Sequence, residues 1–155
     1  MHQQKESLQL GSKSPHAWGR MDEVARFALI GSELEQSQSD RCHNAYFLRK
    51  GISAHYEKIP LQSAQFPVFM AGLRQSGLRG LSVTLPYKET ILPYLDALDA
   101  VASQIGAANT VVCTSEGRCV GYNTDDSGVR QALEPYVGSL EGQRILILGA
   151  GGAAR

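Results

Sequence analysis

Ile145-Leu-Ile-Leu-Gly-Ala-Gly-Gly-Ala-Ala-Arg155 ends the 155-residue chain: an apolar run of strand type feeds straight into a glycine turn. Strand, tight glycine turn and a helix N-terminus with free N–H groups make the opening of a dinucleotide-binding βα unit. Gly149, Ala150, Gly151, Gly152 and Ala153 are therefore the candidate cofactor-binding residues. A whole βαβ unit takes about 30 residues or more, so residues 144–155 hold only the start of a Rossmann domain. Whatever precedes them is expected to be the substrate half of a two-part enzyme.

Upstream, strand and helix patterns alternate. Apolar runs predict strands over residues 27–30, 53–59 and 78–83. Gly51, Pro60 and Gly77 punctuate them. Helices are predicted over 40–50, 62–75 (with a late start imposed by Pro67), 88–98, 99–104 and 126–136. Strands near 109–114 and 118–122 flank Ser115-Glu116-Gly117, a hairpin signal. Alternation of this kind predicts an α/β domain, a layered sheet with flanking helices and a hairpin at one edge. The expected organisation is a polar tail or linker over 1–25, a substrate-binding catalytic domain over 26–125, a connecting helix and linker over 126–143, and the nucleotide domain from 144.

Composition narrows the function. Fifteen basic and fifteen acidic residues cancel, so nothing draws the chain to nucleic acid or to an anionic membrane. No apolar run approaches a membrane span. The first 20 residues lack the apolar core of a secretory signal. Cys42, Cys113 and Cys119 are odd in number, without C-x-x-C spacing. They point to a reduced, cytoplasmic protein with no metal site, in which Cys113 and Cys119 flank a turn as ordinary thiols.

Four polar clusters fall where a strand meets a loop, the edge at which open α/β sheets bind ligands. Ser37-Gln-Ser39 offers two hydroxyls to one carboxylate or hydroxyl group, unless Ser39 or Asp40 merely caps the next helix. In Leu81-Ser-Val-Thr-Leu-Pro-Tyr-Lys88, Thr84 ends a strand and Lys88 opens a helix. A lysine there is suited to proton transfer, or is simply solvated. Asn109 and Thr110 place an amide and a hydroxyl at the mouth of an apolar strand, as a polyol requires. Gly121-Tyr-Asn-Thr-Asp125 either caps the following helix through Asn123 or Thr124, or gives Lys88 an aspartate partner.

The order of these clusters decides between those readings, and it resembles the shikimate dehydrogenase family. That family carries a Ser-x-Ser loop before His-Asn, (Asn/Ser)-Val-Thr-x-Pro-x-Lys, Gly-Ala-x-Asn-Thr, Gly-x-Asn-Thr-Asp and Gly-Ala-Gly-Gly-Ala. Here they stand as Ser37-Gln-Ser39 before His43-Asn44, Ser82 to Lys88, Gly106 to Thr110, Gly121 to Asp125 and Gly149 to Ala153. The resemblance implies that Ser37 and Ser39 bind a shikimate carboxylate and that Thr84 contacts ring substituents. It also implies that Lys88 and Asp125 form the catalytic pair, with Asn109 orienting neighbouring hydroxyls. The implied reaction is NADP-dependent interconversion of 3-dehydroshikimate and shikimate on the route to chorismate and the aromatic amino acids. NAD in place of NADP, a sister enzyme acting on quinate, and a substrate-binding remnant without catalysis all stay open at this stage. So does kinship with fused dehydratase–dehydrogenase proteins, whose linker the polar first residues resemble. The chain alone is expected to be catalytically silent. One departure concerns the serine loop: the family's Gly-x-Pro-x-x-His-Ser-x-Ser-Pro is here Gly31-Ser-Glu-Leu-Glu-Gln-Ser-Gln-Ser-Asp40, with Glu33 and Glu35 adding negative charge.

Overall fold

A computed structural model describes residues 24–146 and residue 148. Strand β1 (Ala25–Gly31) lies between β2 (Ala54–Pro60) and β3 (Leu78–Val83), parallel to both. The hairpin β5 (Thr110–Cys113) and β6 (Cys119–Tyr122) continues the sheet, with β5 antiparallel to β3. A two-residue strand, β4 (Ala97–Leu98), completes the order β2-β1-β3-β5-β6-β4. Ala28, Leu29 and Ile30 are all buried, as a strand covered on both faces should be.

The larger core lies on one face. Ala28, Ile30, Leu81, Val83 and Val111 of the sheet meet Phe66 and Met70 of α2 (Phe66–Gly72) and Tyr87 of α3 (Tyr87–Thr90). Fully burying a ring such as Phe66 is worth about 1.5–3 kcal/mol. On the other face α1 (Ser39–Lys50) packs on β1 and β2, where Leu29, Leu34 and Tyr56 pack with Phe27 and Phe47. The edge strand β2 is protected by a side chain: the Asn44 amide donates to Tyr56 O at 2.8 Å and accepts from Tyr56 N at 2.9 Å. It thus occupies backbone groups that would otherwise template another strand. Helices α4 (Ala100–Ile105) and α5 (Asp125–Val137) flank the hairpin in sequence.

The structure departs from the sequence expectations in three places. The helix expected over 88–98 is only α3 and a 3-10 turn at Leu92–Tyr94, after which Leu95 is extended and β4 pairs with β6. Pro93 supplies no N–H, which disfavours a continuous α-helix there, and pairing of Ala97 and Leu98 with β6 draws the end of the stretch into the sheet. Pro60 is the last residue of β2, and it fits there because its place is on the sheet edge, where its missing donor costs nothing. Neither Ser39 nor Asp40 caps α1; Gln38 stands at the cap without a side-chain bond. Finally, Ile145, Leu146 and Leu148 form no strand and are exposed, since no described strand lies beside them to complete a ladder. The glycine loop of residues 149–153 lies outside the described residues.

Two features tie the hairpin down. Asp96, just before β4, receives Arg74 through two hydrogen bonds of 2.7 and 3.0 Å and the Cys119 backbone N–H at 2.7 Å. Arg74 also donates to Gly117 O in the hairpin turn. Above all Arg74, and then the Cys119 N–H, hold the Asp96 carboxyl at about 2, below its ordinary 3.8. A depressed acid contributes stability above its unfolded value and loses it as pH falls through the folded one. Asp96→Asn is therefore expected to be less stable than the parent near neutrality, with the difference vanishing as pH drops from 3.8 to about 2. A denaturation midpoint difference constant across that window would contradict this role. The second feature is Cys113 opposite Cys119, free buried thiols with sulfurs 2.8 Å apart. Burial first, then the neighbouring thiol, pushes Cys113 up to about 12, so Cys113 is a packing residue rather than a nucleophile.

Candidate active site

The carboxyl ends of β1, β2, β3 and β6 and the amino end of β5 share one edge of the sheet. Every polar cluster singled out in residues 24–146 emerges there. Gly31 makes the crowding possible: a Cβ on it would stand 2.5 Å from Thr84 Cγ2 and 2.8 Å from Leu34 Cδ2. Only a glycine lets the turn after β1 lie this close to the end of β3.

Lys88 sits on α3, which is firmly placed. The Tyr87 hydroxyl donates to Leu61 O at 2.6 Å, and its ring stacks on Phe66 at 4.2 Å. Lys88 O accepts from Ala108 N at 2.8 Å, binding the turn to the approach of β5. From there Lys88 Nζ donates to Asp125 Oδ2 at 2.7 Å, with only 12% of the lysine side chain exposed. An ammonium so enclosed is tolerable because a carboxylate faces it.

Asp125, the first residue of α5, is held from three sides. Asn109 Nδ2 donates to its second oxygen, Oδ1, at 2.7 Å. Asn123 Oδ1 accepts from Asp125 N at 3.0 Å, while Asn123 Nδ2 donates to Ala107 O at 3.0 Å. Asn109 Oδ1 in turn accepts from Thr110 Oγ1 at 2.9 Å and Thr124 N at 3.1 Å. A lysine–aspartate pair is thus built on a connected set of side chains, each fixing the rotamer of the next.

Ser37 and Ser39 form a second group at the same edge. Ser37 Oγ donates to Ser39 Oγ at 3.0 Å and accepts from Ser39 N at 3.2 Å. His43 Nδ1 lies 2.7 Å from Ser39 O, and since a carbonyl only accepts, that nitrogen carries the proton. The imidazole stacks on Tyr56 at 4.2 Å. Thr84 links the groups in space, at the end of central β3 and against the turn that leads to the serines. Lys88, Asp125 and Asn109 are therefore joined directly, Ser37 and Ser39 are joined to each other, and Thr84 stands at the β1–β3 junction. Gly149, Ala150, Gly151, Gly152 and Ala153 lie outside the described residues.

Three further residues shape the site. Asn123, 6% exposed, lies inside the Gly121–Asp125 motif, where the sequence suggests a helix cap, and holds Asp125 through its backbone N–H. Its offset of two residues from Asp125 suits a side-chain-to-backbone turn, which is the signal that could have found it. Thr110, read only as a possible substrate contact, orients Asn109. Lys58, on β2, reaches the serine loop at a sequence distance of about 20 residues and left no local signal.

Fold and site together define the class: an α/β substrate-binding domain that presents a lysine–aspartate pair at the carboxyl edge of its sheet. The model of the shikimate dehydrogenase substrate binding domain matches residues 29–111. The chain belongs to the shikimate dehydrogenase family. It is 46% identical over 130 residues to shikimate dehydrogenase (NADP(+)) of Lysinibacillus sphaericus, covering 83% of this chain and 47% of that protein. Among solved structures it resembles a shikimate 5-dehydrogenase from Thermus thermophilus in complex with shikimate, at TM-score 0.74 and 37% identity over 84% of this chain and 49% of that one. It likewise resembles a shikimate dehydrogenase in complex with NADP+, at TM-score 0.80 and 37% identity over 91% of this chain and 49% of the other. The chain spans about half the length of the curated relatives it matches.

Proposed function

We propose that this chain is the substrate-binding and catalytic part of an NADP-dependent shikimate dehydrogenase, acting in chorismate and aromatic amino-acid biosynthesis. The observation that carries this reading is the Lys88–Asp125–Asn109 arrangement, with both aspartate oxygens already accepting hydrogen bonds. Both of its oxygens are thus engaged in holding the amine and the Asn109 amide in place. Lys88 Nζ keeps further N–H groups for the substrate oxygen.

In the reducing direction, hydride adds to the C3 carbonyl carbon of 3-dehydroshikimate. The carbonyl π pair moves to oxygen, which takes a proton from Lys88 Nζ to become the C3 hydroxyl. In the oxidising direction the amine receives that proton as hydride leaves C3. Nicotinamide, when bound, supplies or accepts the hydride. Asn109, placed beside Asp125, offers an amide to the neighbouring ring hydroxyl, and Ser37 and Ser39 take the ring carboxylate. By sequence, Gly149, Gly151 and Gly152 are the residues that would let the backbone reach the NADP pyrophosphate. Residues 1–155 assayed by themselves are expected to bind substrate without turning it over, since turnover needs a hydride donor held over the ring and the chain spans about half the length of its curated relatives.

Calorimetric titration of the chain with shikimate, quinate and a neutral cyclic polyol tests the assignment. Saturable heat with shikimate, exceeding that with quinate and lost with the polyol, is the expected result. A folded chain that binds quinate in preference would move the assignment to the sister activity, and one that binds neither acid would remove it.

A further inference from the structure

Pairing across the sheet places Lys58 beside Leu29, Leu29 beside Ser82, Ser82 beside Thr110 and Thr110 beside Tyr122. Paired residues share a face, so one row of the sheet carries four polar side chains, with Lys58 at its β2 end. The lysine side chain is 27% exposed and turns toward the loop after β1. Its Nζ donates to Ser37 O at 3.1 Å and stands 3.7 Å from Asp40 Oδ1. That Asp40 oxygen is buried and accepts no hydrogen bond, and the neighbouring Tyr56 hydroxyl feels its charge. Glu33 and Glu35 add negative charge to the same loop. Arg41, the nearest cation in sequence, is directed to Gln38 Oε1 at 3.2 Å.

This is a poor setting for hydroxyls that must receive a carboxylate, unless a cation offsets the acids. We propose that Lys58 sets the charge preference of this end of the site: it holds the Ser37–Ser39 turn through the Ser37 carbonyl and cancels the field of Asp40. The inference rests on the assignment of Ser37 and Ser39 to a substrate carboxylate. Lys58 is a positioning residue. It acts on the ligand through the loop and through its charge, and its effect must therefore depend on whether the ligand is an anion.

The test compares shikimate with its neutral methyl ester, titrated calorimetrically into the parent chain, Lys58→Met and Lys58→Arg. The methionine keeps the aliphatic stem packed and removes the charge. Shikimate is expected to bind Lys58→Met about tenfold or more weakly, the scale of one charged hydrogen bond. The ester should change far less, and Lys58→Arg should recover most of the loss for shikimate. Equal weakening of both ligands would mean a purely structural lysine and overturn the proposal, as would unchanged shikimate binding. If the parent chain binds neither ligand, the carboxylate assignment itself falls, and the role of Lys58 falls with it.

Discussion

Lys88→Ala is expected to lower the rate of NADP-dependent shikimate oxidation by about 10²–10⁴-fold in the protein that includes the nucleotide domain. Three observations set this size. Lys88 Nζ donates a hydrogen bond to Asp125 Oδ2 at 2.7 Å, which fixes its position. It is largely enclosed, so water does not readily take its place. Its backbone is fixed by Tyr87 and Ala108, so the loss should be chemical rather than a rearrangement of the turn. The fall should appear in kcat and kcat/KM together, the pattern for an interaction made chiefly in the transition state. A fall confined to KM would make Lys88 a binding residue only.

Asp125→Asn comes second. The amide preserves the shape but cannot carry the charge that faces Lys88. Its oxygen can still accept from Lys88 Nζ or from Asn109 Nδ2, but its NH₂ then opposes the other donor. We expect about 10²–10³-fold loss in kcat, within the range for a positioned acid–base group. The effect on folding should be much smaller. Breaking a fully buried ion pair costs about 3–5 kcal/mol. The Asp125 side chain, however, is 37% exposed, and solvent screening should reduce the cost to about 1 kcal/mol. Kinetics and chemical denaturation on one preparation separate the two effects. A large stability loss with modest kinetic loss would place Asp125 in the scaffold rather than in the chemistry.

Much of the fold was legible because its signals are local. The apolar runs of β1 and β3 are bounded by glycine, and the glycine in the hairpin turn takes φ 79°, a conformation that favours this residue. Where expectation failed, a non-local term decided. The stretch over 88–98 has helix-forming composition around Pro93, but pairing with β6 drew Ala97 and Leu98 into the sheet. The apolar run from Ile145 has strand composition and no described neighbour, and a strand exists only as part of a ladder.

The candidate site divides in the same way. By itself the sequence determined residue types and their order: two serines, a threonine and lysine, an asparagine and an aspartate, each at a strand end. Those follow from chemistry written along the chain. Only the tertiary structure decided that Lys88 and Asp125, 37 residues apart, meet at 2.7 Å. The same holds for Asn123, which orients the aspartate from a buried position, and for Lys58, which reaches back to the serine loop. Hydrogen bonds act over about 3 Å, and which side chains come that close is fixed by strand register, which is set by the packing of the whole sheet rather than by any one segment.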